Sequence, residues 1–223
     1  MICIIPARSG SKRIKDKNII NFYNKPLISY SIKKAISSKL FNKVIVSTDS
    51  KKIKRISEKF GAKVPFIRSK KLSNDKTGTM EVLIDAIKKT NSVNEKFCCL
   101  FYPTSPLIKA KDLNKAFNIL KSKKNADGIF TIAEYNSHPM RSLILKNNFV
   151  NFKFSSYKKK NSNDLKKMYF DCGNFYFYRT KKILKKNINL KMLGFKIESI
   201  RSIDINTHDD IKLAKIIYKN NNY

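Results

Sequence analysis

Short runs of unbroken apolar residues punctuate the first half of the chain, and amphipathic stretches separate them. MICIIPA (1–7), KVIVSTD (43–49), AKVPFIRS (62–69) and FCCLFYPTSP (97–106) have the length of strands and no clean polar alternation, as strands covered on both faces do. Between them, residues 26–41, 50–61 and 78–90 repeat their apolar positions at helical spacing, as Ile53, Ile56 and Phe60 do. Strands alternating with helices predict an α/β fold with a mostly parallel sheet and crossover helices. A further helix is predicted at 110–124 and a strand at 128–135. From 136 to 168 the chain turns polar, with apolar fragments such as RSLIL and FVNFKF. That predicts an excursion, a hairpin-bearing flap or dimerisation lobe, within a single domain over 1–223. Strand character returns at 168–180 and 195–200, and a last helix is predicted at 207–219. Thr207 is its expected N-cap, with Asp209 and Asp210 at its positive end.

Charge adds one question. The formal net charge of +32, from 48 Lys+Arg against 16 Asp+Glu, suits a polyanionic partner, and a basic nucleic-acid-binding module is the reading it favours by itself. Seven of those residues are Arg, however, and the rest are Lys amid abundant Asn and Ile, the bias of an AT-rich coding sequence. Runs such as 158–160 and 121–124 lack the interleaved aromatics of a nucleic-acid surface and read as solvated faces. Such a surface still attracts an anionic nucleotide or sugar acid. Cys3, Cys98, Cys99 and Cys172 lie in apolar runs without metal-type spacing, which predicts reduced core thiols and a cytoplasmic protein. No run approaches the roughly 20 apolar residues of a membrane span, and no signal peptide is read.

The candidate chemistry begins where the first strand ends. IPARSGSKRIKDKN (5–18) leaves the carboxyl edge of the predicted sheet, the place where open α/β folds bind ligands. Ser9-Gly10-Ser11 can turn tightly and present N–H groups, and Arg8, Lys12, Arg13, Lys15 and Lys17 add cations, a combination that suits a polyphosphate. One glycine in residues 8–18 excludes both G-x-x-x-x-G-K-[ST] and G-x-G-x-x-G. On residues alone, a generic basic loop remains open beside the anion site.

I-P-A-R-S-G-S-K-R closed by Lys17-Asn18 resembles the N-terminal signature of the CMP-sialate synthetase family, cytidylyltransferases that activate nine-carbon acid sugars. VSTDS (46–50), FIRSKKLSNDKTGT (66–79), YPTSPL (102–107) and SIDINTHDD (202–210) resemble further family segments in the same order. CCLFYPTSPL, SHPMRSL and YFDCGNFYFY are similar to the pseudaminic acid branch, and Tyr102 stands where the sialic acid branch carries Gln. The resemblance implies a three-layer Rossmann-like nucleotidyltransferase fold with a small dimerisation excursion. It implies transfer of CMP from CTP to the anomeric hydroxyl of pseudaminic acid with release of pyrophosphate, for surface glycan or flagellin glycosylation. The same reaction on N-acetylneuraminic or legionaminic acid is the near alternative. A homodimer is implied, with no nucleic-acid or membrane partner.

Residue by residue, the resemblance gives Arg8, Ser11 and Lys12 the triphosphate, Lys17 the reacting phosphate and Asn18 the nucleotide. Arg68, Asp75 and Thr79 fall on the segment that meets cytosine and ribose, although Thr79 also reads as a helix N-terminus. Tyr102, Arg141, Asp171, Gly173 and Asn174 fall on the sugar side. Gly173 equally permits a strand bulge, and His138 equally reads as a packed or solvent-facing histidine. The family pattern D-x-D becomes Asp204-Ile205-Asn206, which leaves one carboxylate and one amide oxygen for Mg²⁺, helped by Asp209 or the phosphates. Arg8, Lys17 and Asp204 are the expected catalytic set, because phosphoryl displacement is carried mainly by positioning and charge stabilisation.

Overall fold

A six-stranded sheet organises the chain, in the order β10 (Met192–Lys196), β6 (Gly128–Glu134), β9 (Tyr169–Arg179), β5 (Phe97–Phe101), β1 (Ile2–Pro6) and β4 (Lys43–Ser47). The computed structural model describes residues 1–161, 164–185 and 189–220. β1 runs parallel to β4 and β5, and β10 runs parallel to β6. β9 is antiparallel to both of its neighbours, β5 and β6. The sheet is therefore mostly parallel, as expected, with one reversed strand near its middle.

The unbroken apolar runs have a simple cause. Cys3 and Ile5 point to one face, where α1 (Ile28–Ser37), α2 (Lys51–Lys59) and α4 (Ala110–Ser122) deliver Ile32, Ile53 and Leu113. Ile2 and Ile4 point to the other, where α3 (Thr79–Lys89) delivers Leu83 and Ile87 and α5 (Thr180–Ile183) delivers Ile183. Helices on both faces make three layers and leave no solvated side to a central strand. All four cysteines are buried and free. No described helix is long and apolar enough to cross a membrane.

A third, smaller cluster sets the geometry of the carboxyl edge. Ile14 from the loop after β1, Phe22 from the hairpin β2 (Asn21–Phe22)–β3 (Lys25–Pro26), and Ile205, Ile211 and Ala214 around α6 (His208–Asn220) bury one another. The Thr207 hydroxyl accepts from the Asp210 N–H at 3.2 Å while the Asp210 carboxylate accepts from the Thr207 N–H at 2.7 Å, a reciprocal cap that fixes the start of α6. The segment 204–206 is thereby pressed against residues 14–18, far away in sequence.

Two expectations are corrected. Residues 62–69 form no strand: only the isolated bridges Ile45–Lys63 and Thr48–Ile67 pair, because Pro65 lacks an N–H between them. The strand expected at 195–200 lies at 192–196 instead, and Ser199–Arg201 is a 3₁₀ turn. Ile197 still donates to the Ile132 carbonyl at 2.9 Å, after which Arg201 is drawn to the Leu107 carbonyl. The stretch 136–168 holds the expected hairpin, β7 (Leu143–Lys146) and β8 (Phe149–Phe152), turning through Asn147 and Asn148 at φ 48° and 64°, where asparagine is tolerated. Its apolar side chains face outward, Leu145 68% and Phe149 75% exposed; residues 162–163 of this stretch lie outside the described residues.

Candidate active site

The parallel strands β1, β4 and β5 end at one edge, and the segments that follow them enclose a two-part cleft. Its larger compartment, about 380 Å³, is lined by the β1 loop residues Arg8, Ser11, Lys12, Arg13, Lys17 and Asn18, with Tyr102, Pro103 and Thr104 opposite. A smaller one, about 190 Å³, is lined by Arg68, Asn74, Thr77, Thr79 and Val82. Pro6, Arg8, Asp75 and Tyr102 line both, so the compartments are continuous.

Hydrogen bonds hold the β1 loop in shape from behind. Ser9 donates its N–H and its hydroxyl to the two carboxylate oxygens of Asp49, both at 2.8 Å. The buried Asn18 donates to the Arg8 carbonyl at 2.9 Å, which ties the two ends of the loop together. Arg8 and Lys12 each lie 2.6 Å from a different oxygen of Asp75. Asp49 has no role among the expected residues, and neither do Pro103 and Thr104, while Arg13 was expected only as one of the loop's cations. The signal available for Asp49 was its place at the end of β4, the strand beside β1.

Lys17 is a half-buried cation near the end of the loop. Its ammonium donates to the Ile205 carbonyl at 2.7 Å and lies 3.5 Å from Asn206 Oδ1. Burial pushes its pKa below the usual lysine value; Asp204 opposes that shift, and Arg13 and Arg8 add to it. Ile205 is buried between Asp204 and Asn206, and Asn206 Nδ2 donates to Asp204 Oδ2 at 2.6 Å, so the two polar side chains share one side. Among the described residues no group of three His, Cys, Asp or Glu side chains could hold a metal ion. One carboxylate and one amide oxygen still fit Mg²⁺, which commonly takes one or two protein oxygens and completes its octahedron with phosphates and water.

Arg68 forms part of the smaller compartment. It is 3% exposed, its Nε donates to Ser73 Oγ at 3.1 Å, and its Nη2 is buried with no hydrogen-bond partner among the described residues. Burial lowers its pKa, against the attraction of Asp49. A buried guanidinium nitrogen without an acceptor is a costly arrangement that a ligand oxygen would relieve. Thr79 opens α3, and its hydroxyl accepts from the Tyr102 hydroxyl at 2.9 Å.

The expected sugar residues divide. Tyr102 lines the cleft, and the backbone of Asn174 receives the Tyr102 N–H at 2.8 Å, which puts the middle of β9 beside it. Asp171 accepts from the Tyr176 hydroxyl and, at 2.9 Å, from the Gly173 N–H. Gly173 has φ +62° next to the register shift between Phe130 and Ile132, so it does form a bulge, in the left-handed region that favours glycine. Asn174 is buried, and its Oδ1 has no hydrogen-bond partner among the described residues. Arg141, like Asp171, Gly173 and Asn174, is not among the side chains that line the cleft, and it donates to the Lys160 carbonyl at 3.2 Å within the excursion. His138 likewise bonds inside the excursion, to the Lys166 carbonyl at 3.0 Å and from the Met140 N–H at 3.3 Å.

Comparison with known proteins decides what kind of cleft this is. The family described as Cytidylyltransferase matches residues 2–216. The chain belongs to the cytidylyltransferase family. Among characterised cytidylyltransferases, the pseudaminic acid cytidylyltransferase of Campylobacter jejuni is 38% identical over 99% of this chain and 97% of its own length. The N-acylneuraminate cytidylyltransferase of Escherichia coli is 28% identical over all of this chain and 53% of its own length. The solved CMP:2-keto-3-deoxy-manno-octonic acid synthetase in complex with CTP shares the fold, with a TM-score of 0.75 over 98% of both chains at 14% identity. The α/β expectation and the family resemblance both stand on these findings.

Proposed function

We propose that this cytidylyltransferase transfers CMP from CTP to the anomeric hydroxyl of pseudaminic acid and releases pyrophosphate. The observation that carries the reading is the convergence of Arg8, Lys12, Arg13 and Lys17 on one cavity, beside a compartment that contains a buried, partly unpartnered Arg68. The first set of cations matches a triphosphate, and the second site matches the oxygen and ring-nitrogen acceptors of cytosine. Pseudaminic acid is chosen because relatives at 37–38% identity over nearly their whole length bear that name.

In this mechanism Lys17 faces the α-phosphate and neutralises the charge that grows there as the sugar oxygen attacks. Arg8 and Lys12 hold the leaving pyrophosphate, and Thr79, oriented by Tyr102, meets the ribose. Asp204, with Asn206, would hold Mg²⁺, whose charge offsets that of the phosphate oxygens. Asp171, Gly173 and Asn174 border the sugar. The outward apolar hairpin supports a homodimer, and the four free buried thiols support a cytoplasmic site of action.

The test is pyrophosphate release by purified protein with CTP, Mg²⁺ and pseudaminic, legionaminic or N-acetylneuraminic acid in turn. The reading predicts the highest kcat/KM with pseudaminic acid. Faster turnover of another sugar reassigns the acceptor, and no turnover with any, alongside salt-sensitive DNA or RNA binding, refutes the enzyme in favour of a nucleic-acid module.

A further inference from the structure

Among the described residues Asp75 is the one acidic residue lining the cleft, and both of its carboxylate oxygens are engaged by the cations that the triphosphate needs. Arg8 Nη1 lies 2.6 Å from Oδ1 and Lys12 Nζ 2.6 Å from Oδ2. An ionised carboxylate only accepts hydrogen bonds, so it cannot itself hold a phosphate, and its charge repels one. We propose that Asp75 is a built-in competitor for the pyrophosphate portion of CTP: it yields Arg8 and Lys12 when the β- and γ-phosphates enter, and takes them back as pyrophosphate leaves. This rests on the CTP reading above and replaces the expected role of Asp75 as a nucleotide ligand.

Three features of the surroundings support this exchange. Asp75 is displayed on a stitched turn, in which the Asn74 side chain accepts from the N–H groups of Lys76 and Thr77 at 2.8 and 2.9 Å and Thr77 donates to the Lys71 carbonyl at 3.0 Å. The carboxylate therefore returns to one place. Asp49 holds Ser9 independently, so the β1 loop keeps its shape when Asp75 lets go. Lys17 lies in hydrogen-bond contact with the Ile205 carbonyl rather than a carboxylate, so only the outer cations are masked and the one assigned to the reacting phosphate stays available. The side chains of Arg8, Lys12 and Asp75 are 36%, 81% and 42% exposed, so each pair is weak enough to exchange within a catalytic cycle.

The experiment measures binding of CTP, inorganic pyrophosphate and cytidine by calorimetry to the full chain and to Asp75→Asn. The exposed pairs together predict about three- to tenfold tighter binding of CTP and pyrophosphate in the variant, with cytidine unchanged. Product inhibition by pyrophosphate should strengthen by the same factor. Asp16→Asn is the control: it makes the same change in net charge, Asp16 pairs with Lys52 rather than the loop cations, and its φ of 55° suits asparagine. Equal or weaker pyrophosphate binding in Asp75→Asn, or equal tightening in Asp16→Asn, overturns the proposal while leaving the CTP reading intact. Failure of the unmodified chain to bind either CTP or pyrophosphate overturns both.

Discussion

Arg201 should be among the most destabilising single positions in the chain. It is 7% exposed, it donates from Nε and Nη2 to the Leu107 carbonyl at 3.2 and 3.1 Å, and it pairs with Asp112. Asp112 is itself buried and accepts the Lys109 N–H at 2.8 Å at the start of α4. Arg201→Met keeps the side-chain length and removes every donor, so a buried carboxylate loses its cation and a carbonyl loses two hydrogen bonds. Breaking one side of a buried pair costs about 3–5 kcal/mol. In a chain of this size that corresponds to a fall in Tm of about 6–20 °C. Urea unfolding monitored by circular dichroism would measure it. Arg201→Met/Asp112→Asn removes the uncompensated charge, so the double variant should be more stable than the sum of the single effects by about 1–3 kcal/mol. A loss below about 1 kcal/mol for Arg201→Met, or strict additivity, would refute the reasoning.

Other expected outcomes follow from the cleft and the hairpin. Lys17→Met should lower kcat about 100- to 1000-fold while KM for CTP changes little, the pattern of a lost transition-state interaction, checked by steady-state kinetics. Because burial lowers the Lys17 pKa and the charged form is the active one, kcat/KM should fall with rising pH earlier than an ordinary lysine would titrate. Lys17→Arg, charged throughout, should push that falling limb to higher pH. Phe149→Asp, on the most exposed of the hairpin's apolar side chains, should shift sedimentation from dimer to monomer without altering the circular dichroism spectrum.

Much of the sheet and of the loop chemistry was legible because both are local. β1, β4 and β5 are short apolar runs whose residues are covered on both faces, and the β1 loop gathers Arg8, Lys12, Arg13 and Lys17 within ten residues. What escaped depends on contacts distant in sequence. The reversal of β9 is decided by its pairing with β5 and β6, about 70 and 40 residues earlier, and nothing in its own apolar pattern encodes a direction. Asp49 looks like an ordinary surface acid until β4 brings it to the loop after β1. The resemblance puts Arg141 on the sugar side, yet its chain segment leads it into the excursion, where it bonds the Lys160 carbonyl. Arg201 reads as one more basic residue in a basic chain, and its burial follows from where β10 ends.

The most direct test of the central claim is a crystal structure of the protein with a non-hydrolysable CTP analogue and Mg²⁺. The α-phosphate should lie beside Lys17 and Asp204, the outer phosphates on Arg8 and Lys12, cytosine against Arg68 and the ribose beside Thr79. An analogue bound with its triphosphate away from the loop after β1, or with its base in the larger compartment, would contradict it.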